Sequence, residues 1–255
     1  MAVITLCSAA GSPGVTTTAV ALAWNWQRPV MLVEADPVGG SAILAGTFAG
    51  MREYRAGLVE LATTNLDLRD ALTDVADQVE GTRISLVAGP RSHVQVPGLE
   101  PLWPRLVDAL DDLDGSGQDV IVDAGRLGMR GSPEPLLALA DLTLIVARTD
   151  LVAVSAVRTW AAALRDGSPA WRDAGLLLVG AGQPYSAKEV GKHLDLPVVA
   201  TVKDDAAGAA VYRDGAPAGR RWANGPYVRS VQAAREAITT RIARGRAELL
   251  TEVTP

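Results

Sequence analysis

Short apolar runs alternate with longer amphipathic stretches along almost the whole chain. Several short runs are apolar at every position, which is typical of parallel β-strands covered by helices on both faces. Strands are predicted at Val3–Cys7, Val30–Glu34, Ile84–Val87, Val120–Asp123, Leu142–Val146, Leu176–Val179 and Val198–Val202. Helices are predicted at Thr16–Trp26, Ala56–Thr63, Leu66–Val79, Pro101–Leu113, Pro135–Leu139, Val152–Leu164, Ala187–Leu194 and Val228–Leu249. This order predicts an α/β fold: a doubly wound, mainly parallel sheet with helices on both faces.

The chain shows no internal repeat and no low-complexity linker. Two stretches rich in glycine, proline or arginine, Gly89–Gly98 and Gly215–Gly225, are interpreted as surface loops and not as domain boundaries. A length of 255 residues suits one α/β domain with a large core. We therefore predict a single domain over residues 1–255.

The composition limits the kinds of molecule that this protein is expected to bind. The net charge is −5 and no long basic run occurs, so nucleic-acid binding is disfavoured. No segment approaches the roughly 20 uninterrupted apolar residues that span a bilayer, so membrane contact is expected to be peripheral at most. The single cysteine, Cys7, cannot form an internal disulfide, and no signal-peptide pattern is seen. Both observations favour a cytoplasmic location.

A glycine-containing segment, AAGSPGVTTT from Ala9 to Thr18, links the first predicted strand to the first predicted helix. Phosphates bind at this place in α/β folds, because glycines let the chain curl and the helix N-terminus presents N–H groups. A standard phosphate loop ends in Gly-Lys-Ser/Thr, where the lysine contacts phosphates and the hydroxyl binds Mg²⁺. Gly14 and Thr16 fit this pattern, but Val15 stands in place of the lysine. The alternative is an ordinary strand–helix turn capped by Thr16.

Acidic residues follow two other predicted strands. Glu34 and Asp36 lie in the segment VEADPVGG, and Asp123 lies in DVIVDAG. At the carboxyl edge of a parallel sheet, such acids could position a water molecule or the shell of a magnesium ion. The alternative for the first pair is a helix N-terminal acid pair with a turn proline.

These segments together resemble the ParA/MinD family of deviant-Walker P-loop ATPases, in order from the first strand to the last helix. The family loop, Lys-Gly-Gly-x-Gly-Lys-Thr-Thr, falls on residues 10–17, and both of its lysines are replaced, by Ala10 and Val15. Asp36 matches the aspartate that helps to activate water, and Asp123 matches the Walker B residue linked to magnesium. Departures include Lys203, which replaces a usual proline.

The resemblance implies a nucleotide site with assigned roles. By this resemblance, Asp36 is expected to be the catalytic residue, and Thr16 and Asp123 are expected to be the metal-linked residues. The cofactor-binding residues are Gly11, Ser12, Pro13, Gly14, Val15, Thr16 and Thr17. Loss of both lysines predicts that ATP or ADP with Mg²⁺ is weakly bound or absent, since lysine contributes charge-assisted hydrogen bonds and stabilises the transition state of phosphoryl transfer. Three loop arginines are candidates to replace this charge: Arg91, Arg126 and Arg130.

Two functions follow from the resemblance. The favoured one is a degenerate P-loop scaffold or adaptor in intracellular positioning, of chromosomes or plasmids, the division site, or pilus and secretion machinery, with weak or no ATP hydrolysis. It would act as a homodimer or as a heterodimer with a related ATPase. The alternative is an active ATPase switch with an atypical phosphate loop. The arginine-rich C-terminal stretch, Ala233–Leu250, is expected to pack on the sheet and not to bind a membrane.

Overall fold

The computed structural model describes residues 1–112, 115, 117–165 and 170–253. The strands are β1 (Val3–Ser8), β2 (Val30–Glu34), β3 (Asp77–Gln78), β4 (Ile84–Val87), β5 (Asp119–Arg126), β6 (Leu142–Arg148), β7 (Ala174–Val179) and β8 (Val198–Val202). The helices are α1 (Val15–Trp24), α2 (Leu58–Thr63), α3 (Leu68–Val75), α4 (Leu102–Asp112), α5 (Glu134–Leu139), α6 (Leu151–Arg165), α7 (Ala187–Leu194), α8 (Ala206–Asp214) and α9 (Pro226–Val253). Shorter turns are a π-helical turn (Ile43–Thr47) and 3-10 turns (His93–Leu99 and Trp222–Asn224).

The strands form one sheet in the order β3-β4-β2-β5-β1-β6-β7-β8. All neighbours are parallel except β3, which pairs antiparallel with β4. β1 lies between β5 and β6, with Leu6 opposite Asp123 and Ser8 opposite Arg126. The chain therefore winds outwards in both directions from β1, and the loop that follows β1 opens at the switch point where α/β proteins bind ligands.

Helices cover both faces of the sheet, and β1 shows how the core is divided. Ile4 and Leu6 pack in a cluster with α1, α8 and α9. Val3 packs on the opposite face with α2, α3, α4 and α5, and Cys7 packs in a cluster with α6 and α7. Because both faces of the strand are buried, its sequence is apolar at successive positions. The predicted doubly wound α/β architecture is confirmed.

The sequence placed the end of one helix wrongly and left another helix unpredicted. The helix predicted at Leu66–Val79 ends at Val75, and Asp77–Gln78 instead joins the sheet edge as β3. The backbone turns extended at Ala76, and the Asp77 carboxylate accepts a 2.7 Å bond from Arg52. Helix α8 was missed, since its short, alanine- and glycine-rich sequence has little amphipathic period; its first turn is capped by Asp205.

The two predicted loops each contain a 3-10 turn. Leu113, the predicted end of the fourth helix, lies outside the described residues, as does Pro255 at the end of the predicted domain. A single domain over 1–255 stays a prediction.

The C-terminal helix α9 packs against β8 and the sheet. Val231 and Ile238 are fully buried in the core, and Arg241 pairs with Asp173 at 2.6 Å. The expectation of a helix that packs on the sheet is confirmed. In the part of the chain that the structure describes, none of the helices combines the length and the apolar character needed to cross a membrane.

Candidate functional site

The loop between β1 and α1 curls through two glycines in the left-handed region, Gly11 with φ +66° and Gly14 with φ +98°. Helix α1 begins at Val15, and Gly14 is its N-cap without any side-chain cap. Thr16 is therefore inside the helix, and the alternative interpretation of a turn capped by Thr16 was wrong. The first intrahelical bond runs from Thr18 N to Gly14 O, at 2.9 Å. The earlier N–H groups lie at the positive end of the helix, where an anion can bind.

The residue in the lysine position is part of the core. Val15 is 7% exposed and packs in the apolar cluster that contains Ile4 and Leu6. Ser12 is exposed and Thr17 is half-buried on the loop surface. The loop thus keeps its backbone and hydroxyl groups, while Val15 contributes only apolar packing.

Asp123 lies in the buried part of β5 and is itself fully buried. Its Oδ1 accepts a hydrogen bond from Gly125 N at 3.0 Å, but Oδ2 has no partner within the described residues. Burial, together with the charges of Asp36 and Glu34, raises the pKa of Asp123 to about 7, although the nearby Thr16 hydroxyl and the Gly125 N–H lower it. An unpaired buried carboxylate oxygen is costly, so this atom is a candidate ligand for a cation or its water shell.

Asp36 lies beside Asp123 at the carboxyl edge of the sheet. Ala35 N donates to Asp123 O at 2.8 Å, which fixes the end of β2 against β5. The half-buried Asp36 accepts a bond from Val38 N on Oδ1 at 2.9 Å. Thr16, Asp36 and Asp123, three of the residues singled out in the sequence, are therefore brought together.

Glu34 has a different environment from Asp36. It is 3% exposed, and its carboxylate accepts bonds from Ser41 Oγ at 2.5 Å, Ile43 N at 3.1 Å and Gly89 N at 3.1 Å. Burial raises its pKa, while these hydrogen bonds lower it. Glu34 thus connects β2 to the π-helical turn and to the end of β4. Its carboxylate is occupied by these hydrogen bonds, so it acts as a structural brace for the site and is not free to bind water.

The oxygen donors present fit a magnesium ion whose coordination is completed by the phosphates of a bound ligand. Within the described ranges, no three His, Cys, Asp or Glu side chains are grouped as a metal site. Mg²⁺ commonly keeps several waters and binds through one or two protein oxygens plus substrate phosphates. The Thr16 hydroxyl and Asp123 Oδ2 match that requirement.

The similarity of this chain to known proteins lies in its structure. No family model matches the sequence, and no curated protein matches it either. The structure is similar to the cell division ATPase MinD of Pyrococcus furiosus, with TM-score 0.75 and 15% identity over 94% of this chain and 98% of that one. It is similar to a ParA family ATPase of Chlorobium tepidum, with TM-score 0.75 and 14% identity over 92% and 97%. It is also similar to the septum site-determining protein MinD of Pyrococcus horikoshii complexed with Mg-ADP, with TM-score 0.73 and 16% identity over 93% and 95%.

The chain has the MinD/ParA fold. At these identities the similarity extends to architecture, so any role of the site has to be argued from its own residues.

On the MinD/ParA fold, the three candidate arginines differ in their surroundings. Arg91 is engaged elsewhere, since its guanidinium lies 4.0 Å from the Tyr54 ring centroid and 3.7 Å from Glu60. Arg126 and Arg130 are exposed, and neither forms an ion pair with another described residue. Arg126 lies opposite Ser8, where the phosphate loop begins. Its role as a replacement charge stays a prediction.

A pocket of about 160 Å³ lies beside the phosphate loop. Its lining includes Ser12, Pro13, Gly14, Thr17 and Thr18 of the loop and the start of α1. It also includes charged residues from the ends of β6, β8 and α8: Arg148, Lys203, Asp204, Asp205 and Arg213. Sequence reasoning did not assign Arg148 or Lys203 to the site. Their position at the carboxyl ends of two predicted strands, like that of Asp36, was a signal that could have found them.

Proposed function

We propose that this chain is a MinD/ParA-like scaffold or adaptor in intracellular positioning, with a magnesium-nucleotide site that binds weakly and hydrolyses little or no ATP. The observation that carries the proposal is the burial of Val15, which fills the lysine position with apolar packing. The oxygen side of the site, Thr16, Asp36 and Asp123, is retained. The site therefore keeps groups for a cation and a water, but it lacks the loop charge that stabilises phosphoryl transfer.

The backbone N–H groups that are retained and the lysines that are lost affect nucleotide binding and ATP hydrolysis to different extents. The N–H groups at the start of α1 still favour an anion, each contributing modestly. A lysine on the transferred phosphoryl group acts mainly in the transition state, where charge develops. We therefore expect hydrolysis to be impaired more than binding.

A protein partner is supported by the apolar side chains around the carboxyl edge of the sheet. Val38, Val94, Leu151 and Val152 are 57%, 74%, 66% and 79% exposed. They follow or flank different strands around the site, and exposed apolar groups of this kind favour protein contacts. We propose a homodimer, or a heterodimer with a related ATPase. The same proposal places the protein in the cytoplasm, disfavours nucleic-acid binding and limits membrane contact to a peripheral one. The cargo would be a chromosome or plasmid, the division site, or pilus or secretion machinery.

The alternative is an active ATPase switch with an atypical phosphate loop. It is favoured by one observation, the neighbouring Asp36 and Asp123, which retain both carboxylates of a hydrolytic site. In that case self-association would depend on nucleotide.

Two measurements separate these functions. Light scattering after size-exclusion chromatography gives the oligomeric state with and without ATP and Mg²⁺, and a phosphate-release assay gives turnover for the wild type and Asp36→Ala. The scaffold function predicts the same oligomer in both conditions and turnover no greater than that of Asp36→Ala. Dimers that form only with ATP, together with turnover that Asp36→Ala abolishes, would establish the switch instead.

A further inference from the structure

We propose that Lys203 and Arg148 hold the polyphosphate of a nucleotide from across the pocket, in place of the charge missing from the phosphate loop. This inference rests on the proposed function, since it requires an anion at the start of α1. Both cations line the same pocket as Ser12, Gly14 and Thr17. A phosphate chain lying on the loop would therefore share one pocket with the helix N-terminus and two cationic side chains.

Lys203 is positioned for this role by its backbone. It directly follows β8, and its N–H donates to Ser230 Oγ of α9 at 3.0 Å. The side chain is exposed, and among the described residues no carboxylate forms an ion pair with it. Its ammonium is therefore available to an incoming anion.

Arg148 is held by a carboxylate that a phosphate could displace. It ends β6 and pairs with Asp204, with Nη2 3.3 Å from Oδ1 and Nη1 2.5 Å from Oδ2. The two side chains are 45% and 30% exposed, so the pair is partly solvated and screened. A guanidinium binds carboxylate and phosphate with the same bidentate geometry. A phosphate entering the pocket would compete with Asp204 for Arg148.

The remaining charges in the pocket are engaged. Asp205 caps α8 by accepting a bond from Gly208 N at 3.0 Å. Arg213 forms an ion pair with Asp214 at 2.7 Å, and both of these side chains are exposed. Among the cations that line the pocket, Lys203 is thus the one without an ion pair to a described residue, and Arg148 is the one that ends a strand of the sheet.

Calorimetric titration with ATP and, separately, with inorganic pyrophosphate, each with Mg²⁺, tests the inference. Lys203→Ala and Arg148→Ala should each weaken both ligands about tenfold, the equivalent of one charge-assisted hydrogen bond. Lys203→Arg should retain most of the affinity. Asp204→Asn should act in the opposite direction and tighten binding, because it removes a negative charge and releases Arg148.

Two further variants complete the design. Lys192→Ala removes another exposed lysine, from α7 and outside the pocket lining, and should leave affinity unchanged. Arg126→Ala tests the competing source of charge on the β5 side of the loop. Thermal melts of every variant establish that affinity is compared between folded proteins.

Several results would contradict the inference, and they differ in what they imply for the proposed function. The inference would be overturned if the wild type binds and only Arg126→Ala weakens that binding. It would also be overturned if the pocket variants change the affinity no more than Lys192→Ala does. The proposed function would stand in both cases. Weaker binding of ATP with pyrophosphate unaffected would also overturn it, since the pocket would then contact the nucleoside. Failure of the wild type to bind either ligand would overturn it too, and the scaffold function would be judged by self-association alone.

Discussion

The backbone of Gly125 lies directly against the carboxylate of Asp36. A Cβ atom on Gly125 would lie 2.4 Å from both Cγ and Oδ1 of Asp36, far inside van der Waals contact. Gly125 also has a φ of +61°, in the left-handed region. The space that a side chain would need at this position is therefore occupied by the carboxylate, and this contact keeps Asp36 next to Asp123.

Gly125→Ala should lower the free energy of unfolding by about 2–4 kcal/mol, since left-handed strain and a steric overlap add together. Gly81→Ala is a matched control, because Gly81 has a φ of +72° and open space around its Cα. It should cost only about 1 kcal/mol. Urea denaturation measures both. Equal losses for the two variants would show that Asp36 moves aside at no cost.

Asp123 should make stability depend on pH. Its pKa is about 7 in the folded protein, whereas the pKa of an aspartate in an unfolded chain is about 3.9. The folded state therefore holds a proton that the unfolded state releases, so the free energy of unfolding should fall as pH rises from about 4 to about 7 and then level off. Asp123→Asn removes this titration. It should be more stable than the wild type at about pH 8, with the difference vanishing near pH 4.

Denaturant titrations at a series of pH values test this prediction. Glu34 also has a raised pKa and is present in both proteins, so only its coupling to Asp123 contributes to the comparison. Mg²⁺ should narrow the difference above pH 7 if it binds the ionised carboxylate. Parallel pH profiles for the wild type and Asp123→Asn would contradict the buried titration.

The sequence predicted the buried strands of the sheet but not the short strand at its edge. Val3–Cys7 and the six other predicted strands are all present, because burial on both faces leaves long apolar runs. Asp77–Gln78 could not be predicted as β3, since two polar residues carry no period and are held by Arg52 and by pairing with β4. The phosphate loop and Asp36 were found because they are contiguous in sequence. The pocket was not, since Arg148 and Lys203 meet only through the order β1-β6-β7-β8.

Glu34 and Asp36 should have separable roles, although they are two residues apart. Glu34→Ala leaves the hydroxyl of Ser41 and the N–H groups of Ile43 and Gly89 without their acceptor. It should lower the free energy of unfolding by about 2–4 kcal/mol. Asp36→Ala, which frees only the N–H of Val38, should cost about 1 kcal/mol or less. Chemical denaturation ranks the two; a larger loss for Asp36→Ala would show that Glu34 is not the brace.

Val15→Lys tests whether missing loop charge is what weakens the site. Val15 is buried, so a lysine there should lower thermal stability unless its ammonium reaches the loop. With ATP and Mg²⁺ present, the ammonium gains a phosphate partner, and affinity should rise about tenfold or more over the wild type. Val15→Met has a similar length without charge and should bind no more tightly than the wild type. Calorimetric titration and thermal melts with and without nucleotide measure both effects. Equal affinity for Val15→Lys and Val15→Met would mean that the loop no longer directs a side chain to the phosphates, and that the site differs from a working one in more than its charge.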